Sequence, residues 1–582
     1  MGTALSRVRL ALQSLRVISA AYDKLNKRIQ ESPGIPVSDP STPYWAIPAA
    51  PIAQHGSESK LPPYADVVIV GSGITGTAVA RTLLDSSSKD WAGDLKIVML
   101  EARDACSGAT ARNGGHITPL QYHDYVALKQ EHGADMAKSI IKFRLTHLEE
   151  LIRVSKEEDI LADSQCREVE TFDVFFDPET YDSAIQNLKE FLDDMPDQRK
   201  MWRVVGAEEC VKSLQFSQTV VGAIATTGGA AHPYRLVTGI LSRLLTSYPS
   251  NFHLFTHTPC LSITPSTGSG IEPFYTVSTS KGTIRARHVV HATNAWASHL
   301  LPPMRGKIVP VRAHMSAQRP GMGLGGTDGL KPKSRNGKAP SANDSVLTLT
   351  DAGTGSVDSW LGTRSFVMYA DGRYDYLTQQ PSESSLQSLY PSPAAEFMFG
   401  GGLGHGELAE QTLMSEVGLS DDRSWSLETG AYLGGALSVY FGQWGAEGRV
   451  MEGKSADNST VRSLAGEEID DGRVKKLWTG IIGVSADGRP WVGRLPAKIS
   501  GRRVASSWKG KAGEITRLAP SGEWIAAGYS GEGMVHAYMS GKALAHMLLG
   551  HTEHNELPEA LLVTEARWKK AKIESRIDGF VA

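Results

Sequence analysis

The amino-acid sequence predicts an α/β fold, on three observations. Residues 64–101 alternate strand and helix signals around a glycine turn; a second glycine cluster at 528–533 again joins a strand to a helix; and much of the text between them is β-patterned, as in "RSFVMYADGRYDYLTQQ" (364–380) and "EFMFGGG" (396–402). A parallel sheet with its turn at one end of the chain and its closing strand at the other implies a Rossmann-type domain built from discontinuous segments, with a mixed β-sheet domain inserted among them.

At 582 residues and 62.7 kDa the chain exceeds the size at which one core usually keeps growing. Hydrophobic residues at 41%, charged residues at 21% and a mean hydropathy of -0.22 describe a globular chain, neither disordered nor membrane-embedded. A net charge of -3 and a pI near 6.6 give no electrostatic footprint for nucleic acid. No apolar run is long enough to span a bilayer. Cys106, Cys166, Cys210 and Cys260 form no C-x-x-C pair and no zinc spacing with histidine, so no metal site is expected. So few thiols suit a reducing compartment. The glycosylation patterns at Asn343 and Asn458 carry no weight without a secretory signal.

The N-terminus, "MGTALSRVRLALQSLRVISAAYDKLNKR", places Leu5, Val8, Leu12, Leu15 and Ile18 at helical spacing, with Arg7, Arg9 and Arg16 and no acid before Asp23. A surface helix, an amphipathic transit peptide and, through Gly2 and Ser6, an N-myristoylation signal all read this way. A cytoplasmic location is the expectation, with mitochondrial targeting or a lipid anchor left open. Residues 31–63 are rich in Pro and Ser and form a connecting arm.

The first strand runs into "VVIVGSGITGTAVARTLL", where Gly71, Gly73 and Gly76 have the G-x-G-x-x-G spacing. Gly71 allows the tight turn, Gly73 lets backbone approach a pyrophosphate, and Gly76 lets the helix lie close to the sheet with its positive end toward the phosphates. The next strand, "KIVML", ends at Glu101, where an acid hydrogen-bonds an adenosine ribose and disfavours a 2′-phosphate. "GMGLGG" at 321–326 has the same spacing but follows Arg319-Pro320 and leads into a Gly/Lys/Pro loop, so it is rejected. No internal repeat is present.

Behind Glu101 comes "SGATARNGGHITP" (107–119), with almost no side-chain bulk. Such a stretch lets backbone lie along a ligand. The second glycine cluster, "WIAAGYSGEGMVHAYMSGKALAHML", adds another glycine-lined helix N-terminus. Two of them suit a long cofactor, with pyrophosphate at one and a flavin ring at the other.

The ordered set "VVIVGSGITG", "EARDACSGATARNGGHI", "GGAAHPYRLV", "ATNAW", "GVSADGRPWVG" and "GYSGEGMVHAYMSGKAL" resembles the FAD-dependent oxidoreductases of the D-amino-acid-oxidase superfamily, in the branch of glycine, sarcosine-type and γ-glutamylputrescine oxidases, in a form extended as in filamentous fungi. The resemblance covers roughly 64–550. It implies that Gly71, Gly73, Ile74, Thr75 and Gly76 hold the pyrophosphate of FAD and that Glu101, with Ala102 and Arg103, holds the ribose. It implies that Ser107, Ala109, Thr110, Asn113, Gly114 and Gly115 pass along the ribityl chain and flavin. Cys260 or Leu261 would give backbone contacts to adenine, and Ala292, Thr293 and Asn294 would close the adenine side. Gly528, Tyr529, Gly531, Glu532, Gly533 and Met534 would approach the pyrimidine edge. The segments expected are an N-terminal helix and arm at 1–63, FAD-binding segments at 64–124, 200–310 and 477–552, a helical/substrate segment at 125–199, a substrate domain with exposed insertions at 311–476, and a C-terminal tail at 553–582.

The resemblance further implies oxidation of a C–H bond beside an amine nitrogen, hydride passing to the flavin and dioxygen reoxidising it; the substrate is a small molecule. Family subtypes that bind FAD covalently use a cysteine near the C-terminal glycines or a histidine in the first flavin loop. This chain has no cysteine after Cys260 and Arg112 at the matching loop position, with His116 four residues on, so non-covalent FAD is expected. Sarcosine-type members carry a carboxylate-binding lysine where this chain has Val535, which points away from a short α-amino acid. His116, Tyr376 and Arg364 are the candidate catalytic residues, with Tyr369, Arg373 and His405 as further polar candidates near the pocket. A tailoring oxidase or dehydrogenase acting on a non-amine substrate and a non-catalytic protein retaining the fold are the alternatives.

Overall fold

A computed structural model describes residues 13, 16, 19–90, 95–265, 274–320, 362–370, 373–381, 395–403, 414–442, 472–502, 518–551 and 557–573, with backbone alone for 87–90. His405, the rejected glycine pattern at 321–326, Asn343, Asn458 and the targeting signals of residues 1–12 lie outside the described residues.

Among the described residues seventeen strands make two sheets. In chain order they are β1 (Tyr64–Val70), β2 (Ile97–Leu100), β3 (His116–Ile117), β4 (Arg167–Phe175), β5 (Arg203–Gly206), β6 (Gly222–Ala230), β7 (Phe252–Phe255), β8 (Cys260–Pro265) and β9 (Tyr275–Thr279). They continue as β10 (Gly282–His291), β11 (Ile308–Gln318), β12 (Arg364–Ala370), β13 (Arg373–Gln379), β14 (Phe397–Gly401), β15 (Val474–Ser485), β16 (Trp491–Arg494) and β17 (Gly522–Ala527).

The first sheet has the order β16-β17-β10-β1-β2-β7, with β9 on β10 and β8 on β9. Its five central strands, β17 to β7, are mutually parallel. Val67, Val68 and Ile69 of β1 and all four residues of β2 are buried, the near-continuous apolar text that a sheet covered on both faces requires. Helix Ile74–Asp90 packs on it through Ala78, Val79, Leu83 and Leu84. Val70 pairs with both Leu100 and His291, so β1, β2 and β10 end level and their following turns open at one edge. Ligands bind at that edge in open α/β sheets.

The second sheet runs β15-β11-β14-β13-β12-β4-β6-β3, with β5 on β6; only β4 and β12 are parallel neighbours. β5 and β6 lie in this sheet, β6 pairing with β4 along its full length. β15 pairs with β11 over eleven positions. Strand text carries no mark of which sheet a strand will join. Helix Leu427–Tyr440, N-capped by Ser426, covers one face of this sheet through Leu433, Ala436 and Leu437.

The N-terminal region is part of the body. Residues 19–30 are helical, and Leu25 and Ile29 are buried with Ala297, Leu301 and Met304. The arm behind them carries Trp45, whose Nε1 donates to the Asn113 carbonyl at 2.6 Å. Among the described residues no helix is long and apolar enough to cross a membrane.

Candidate functional site

The first glycine turn is built by close backbone approach. Gly71 has φ +106, and a Cβ there would lie 2.6 Å from the Ala292 carbonyl oxygen; one at Gly76 would lie 2.1 Å from the Gly71 oxygen. The helix therefore starts against the ends of β1 and β10. Above it the Thr110 hydroxyl accepts the N–H of Ile74 at 3.1 Å and stands 3.0 Å from where a Gly73 Cβ would be. Glu101 is fixed at the end of β2: one oxygen accepts Ser72 N–H at 3.2 Å and Ser72 O–H at 2.7 Å, the other accepts Arg103 N–H at 3.1 Å.

The C-terminal glycines are held to β10 by one side chain. Asn294 has φ +44, and its Oδ1 accepts the N–H groups of Gly528 and Tyr529 at 2.9 and 3.4 Å. Tyr529 O–H meets Thr75 Oγ1 at 2.8 Å, joining the two glycine turns. Gly541, one helix further on, would place a Cβ 2.6 Å from the Thr75 carbonyl, so helices Ile74–Asp90 and Ala537–Leu548 pack backbone to backbone.

One cavity gathers these parts. Of the residues expected to contact the cofactor, Gly71, Gly73, Ile74, Thr75, Glu101, Ala102, Arg103, Ala109, Thr110, Asn113, Ala292, Thr293, Asn294, Tyr529, Gly531, Gly533 and Met534 line it. Gly76, Ser107, Gly114, Gly115, Gly528 and Glu532 are not part of that lining. Ser107 offers its carbonyl to Arg103 and Arg112, and Gly115, with φ +76, would bring a Cβ within 2.1 Å of the Ala231 oxygen. Glu532 turns to Arg144 at 3.4 Å and to His536. Of the two adenine-side positions, Cys260 lines the cavity and Leu261, 42% exposed, does not.

The lining also includes Trp296, the last residue of "ATNAW", and residues that carry no motif: Gly34, Ile35 and Pro36 of the arm, His299 and Leu300 after β10, Ala313 and Met315 of β11, and Gly480, Ile481 and Ile482 of β15. Parity accounts for Ala313 and Met315, since every second residue of a strand faces the same way, but not for the three consecutive residues of β15.

Beneath the cavity lies a buried charge cluster. Asp422 accepts Arg103 Nη1 at 2.9 Å and lies 3.4 Å from Arg112 Nε; Arg112 also donates to the carbonyls of Ser107 and Thr479 at 2.8 and 2.6 Å. Burial lowers the Arg112 guanidinium to about 10, against the pull of Asp422.

The three candidate catalytic residues are separated. Tyr376 lines the cavity, with its O–H on Met315 Sδ at 2.9 Å, and burial raises its phenol. His116 stands behind it, ring centroids 6.2 Å apart and nearly parallel, with Nε2 shared between the hydroxyls of Ser365 at 3.1 Å and Thr171 at 3.3 Å. Burial lowers its imidazole to about 4, with Asp173 opposing. Arg364 is not brought to the cavity. It faces the other side of β12, donating to the Ser213 carbonyl at 3.3 Å over the Phe172 ring. Arg373, paired with Ala370, shares that far face, whereas Tyr369 shares the face of Tyr376 and stacks on Phe175 at 5.0 Å.

Several features mark the cavity as made for a long, partly polar ligand. Gly108 and Gly533 line it with ordinary backbone angles, and a Cβ at either would meet nothing within 4 Å. Neither protein packing nor strain requires glycine there, and its backbone stands open to the cavity. Thr293 Oγ1 and Trp296 Nε1, both buried in the lining, have no hydrogen-bond partner among the described residues. No group of His, Cys, Asp and Glu that could hold a metal ion occurs among the described residues.

Comparison with known proteins agrees with this geometry. The family model of FAD-dependent oxidoreductases, the D-amino-acid-oxidase type, matches residues 66–391, more than half of the chain. No curated protein sequence matches. Among solved structures, glycine oxidase from Geobacillus kaustophilus is similar with a TM-score of 0.52 at 14% identity, covering 87% of this chain and 99% of that one. L-proline dehydrogenase from P. horikoshii gives 0.50 at 16%, covering 84% and 94%. L-amino acid deaminase from Proteus vulgaris, lacking its specific insertion, gives 0.50 at 14%, covering 89% and 98%. At these identities the likeness is one of fold.

Proposed function

The chain belongs to the FAD-dependent oxidoreductase family, and on that premise we propose that it oxidises a carbon–hydrogen bond next to an amine nitrogen, with dioxygen as the final acceptor. The observation that carries the reading is the single cavity running from both glycine turns to Met315 and Tyr376 on the second sheet. FAD, when bound, supplies a two-electron acceptor that dioxygen can reoxidise. The solved structures of this fold include proteins named for glycine, L-proline and L-amino acids, which favours an amine donor over an alcohol.

The residues fit that cofactor. The N–H groups at the start of helix Ile74–Asp90 and the positive end of that helix suit a pyrophosphate. Glu101 suits a ribose diol, and the open glycines Gly108 and Gly533 leave room for a planar ring against backbone. Thr293 Oγ1 and Trp296 Nε1 offer hydrogen bonds that the protein leaves unused. Non-covalent attachment is supported by the engagement of both candidate linkage positions: Arg112 is locked by Ser107, Thr479 and Asp422, and His116 Nε2 by two hydroxyls.

A substrate amine must lose its ammonium proton before its C–H bond is oxidised. Met315, Ile481, Ile482 and Met534 give the cavity an apolar wall, and desolvation there lowers an amine's pKa. Tyr376 keeps its phenol proton and orients. His116, neutral at pH 7, buttresses Tyr376 from behind and acts as a positioning residue. Val535 is buried and supplies no cation for a substrate carboxylate, which favours a larger or uncharged amine over a short α-amino acid.

Purified protein mixed anaerobically with panels of amines and alcohols tests the reading. Bleaching of the flavin absorbance by amines and not by alcohols is the expected result. Bleaching by alcohols alone, or a colourless protein that cannot be reconstituted with FAD, would overturn it.

A further inference from the structure

The family match begins at residue 66, yet Gly34, Ile35 and Pro36 line the same cavity as Gly71, Gly73, Glu101 and Gly531. We propose that these three arm residues form a strap across the cavity that retains FAD, a wall of the cofactor site that this chain adds from outside the family-matched part.

The strap is fastened on both sides. Upstream, Leu25 and Ile29 are buried against Ala297 and Leu301, and Ser32 Oγ meets His299 Nδ1 at 2.9 Å; His299 itself lines the cavity. At the strap's edge the Pro33 carbonyl accepts Ser420 O–H at 2.7 Å. Downstream, Ser41 N–H donates to the Asp422 carbonyl at 2.8 Å, and Ser41 Oγ accepts Thr479 N–H at 3.1 Å. Between these ties the chain turns at Gly34, with φ +71. Pro33 and Pro36 stiffen the crossing by fixing their own φ.

The chemistry at the crossing is that of a cover. Ile35 and Pro36 have no charge and no side-chain donor, and Ile35 is 39% exposed while still forming cavity wall. Such residues exclude water and fill shape, and they offer nothing to attract a phosphate from a distance. A cover of this kind acts on dissociation: FAD leaves only when the strap lifts, and lifting breaks the ties at Ser32 and Ser420. The association rate, set by the glycine turns, is left as it is or raised.

The test follows FAD release from the full-length holoenzyme by the rise of flavin fluorescence on dilution. Ser32→Ala combined with Ser420→Ala removes two ties outside the reacting region, and release is expected to quicken about tenfold with association not slowed. Ile35→Gly leaves every tie in place and opens the cover; it is expected to quicken release as well. On the unaltered protein, protease should cut within 31–40 faster in the apoprotein than in the holoenzyme. Release at the wild-type rate in both variants, or slowed association accounting for all of the lost affinity, would overturn the strap, as would equal cleavage in the two forms. A yellow protein bleached by amines with unchanged release sinks the strap alone; a protein that retains FAD by the strap but is bleached only by alcohols sinks the amine reading alone.

Discussion

Tyr376 rests on the missing side chain of Gly114: a Cβ at position 114 would come within 2.5 Å of the tyrosine Cε2. Two residues along β13, Thr378 donates its hydroxyl to the Gly114 carbonyl. The small-residue loop after β2 and the strand that faces it from the second sheet are thus in register through one glycine.

Gly114→Ala is expected to push the Tyr376 ring aside while FAD stays bound. Misplacement of an orienting group by about 1 Å costs on the order of a hundredfold in rate. Stopped-flow flavin reduction should therefore slow by at least about tenfold, with the oxidised flavin spectrum still that of bound FAD. An unchanged reduction rate would remove Tyr376 from the reacting region.

Asp422 neutralises two buried guanidiniums, Arg103 and Arg112, and is itself fully buried. Asp422→Asn keeps the shape and leaves both cations without their counter-charge. Breaking a buried pair in this way costs about 3–5 kcal/mol. Urea unfolding of the two proteins should separate by that amount; a difference below about 1 kcal/mol would mean that water or another group takes the place of the carboxylate.

Asn294→Ala removes the acceptor of the Gly528 and Tyr529 N–H groups and leaves a residue with a Cβ at φ +44. Asn294→Gly removes the acceptor alone. Both are expected to weaken FAD binding about tenfold through the loosened C-terminal turn, and the alanine variant should lose additional stability of about 1 kcal/mol from its strained backbone. Titration with FAD and thermal unfolding read the two effects separately.

Buried His147 fixes a pH dependence. Its Nε2 accepts Met539 N–H at 3.4 Å and its Nδ1 faces the Phe143 carbonyl at 2.9 Å, so it is held neutral, and burial lowers it from 6.5 to about 4. The unfolded chain takes up the proton near pH 6.5 and the folded chain only near 4. Its contribution is therefore intact above pH 6.5 and is lost progressively as pH falls to 4, by at most about 3 kcal/mol. The melting temperature should fall across that window, and His147→Gln should flatten the slope by up to one proton. An identical slope in the variant would assign the acid sensitivity to other groups, such as His314, also held near 4.

The parts of the site that were legible in the sequence are those in which glycine or a capping acid does something local. Gly71, Gly73 and Gly76 sit between a strand and a helix, and their neighbours in sequence are their neighbours in space. Glu101 follows from the same unit. Arg364 and Tyr376 looked equivalent as text, both at even positions, yet β12 and β13 pair odd with even, so the two face opposite sides, and only the pairing of Tyr376 with Val367 shows which side is which. Asp422 and the arm residues 34–36 were illegible for another reason: Asp422 reaches Arg103 and Arg112, and the arm reaches the cavity, through contacts hundreds of residues distant, from stretches whose local pattern is polar or proline-rich.

The strand order of the first sheet has a consequence for how the chain is made. β10 cannot gain its outer parallel neighbour until β17 exists, and helix Ile74–Asp90 lacks its partner until helix Ala537–Leu548 emerges. During synthesis the early βαβ unit therefore waits with an unpaired edge and a bare helix face while most of the protein is still to come, the circumstance in which nascent chains aggregate or recruit chaperones. A nonsense mutation before residue 522 would accordingly yield an insoluble product and not a smaller working flavoprotein, and the cell's supply of this enzyme would depend on its folding machinery as much as on its transcript.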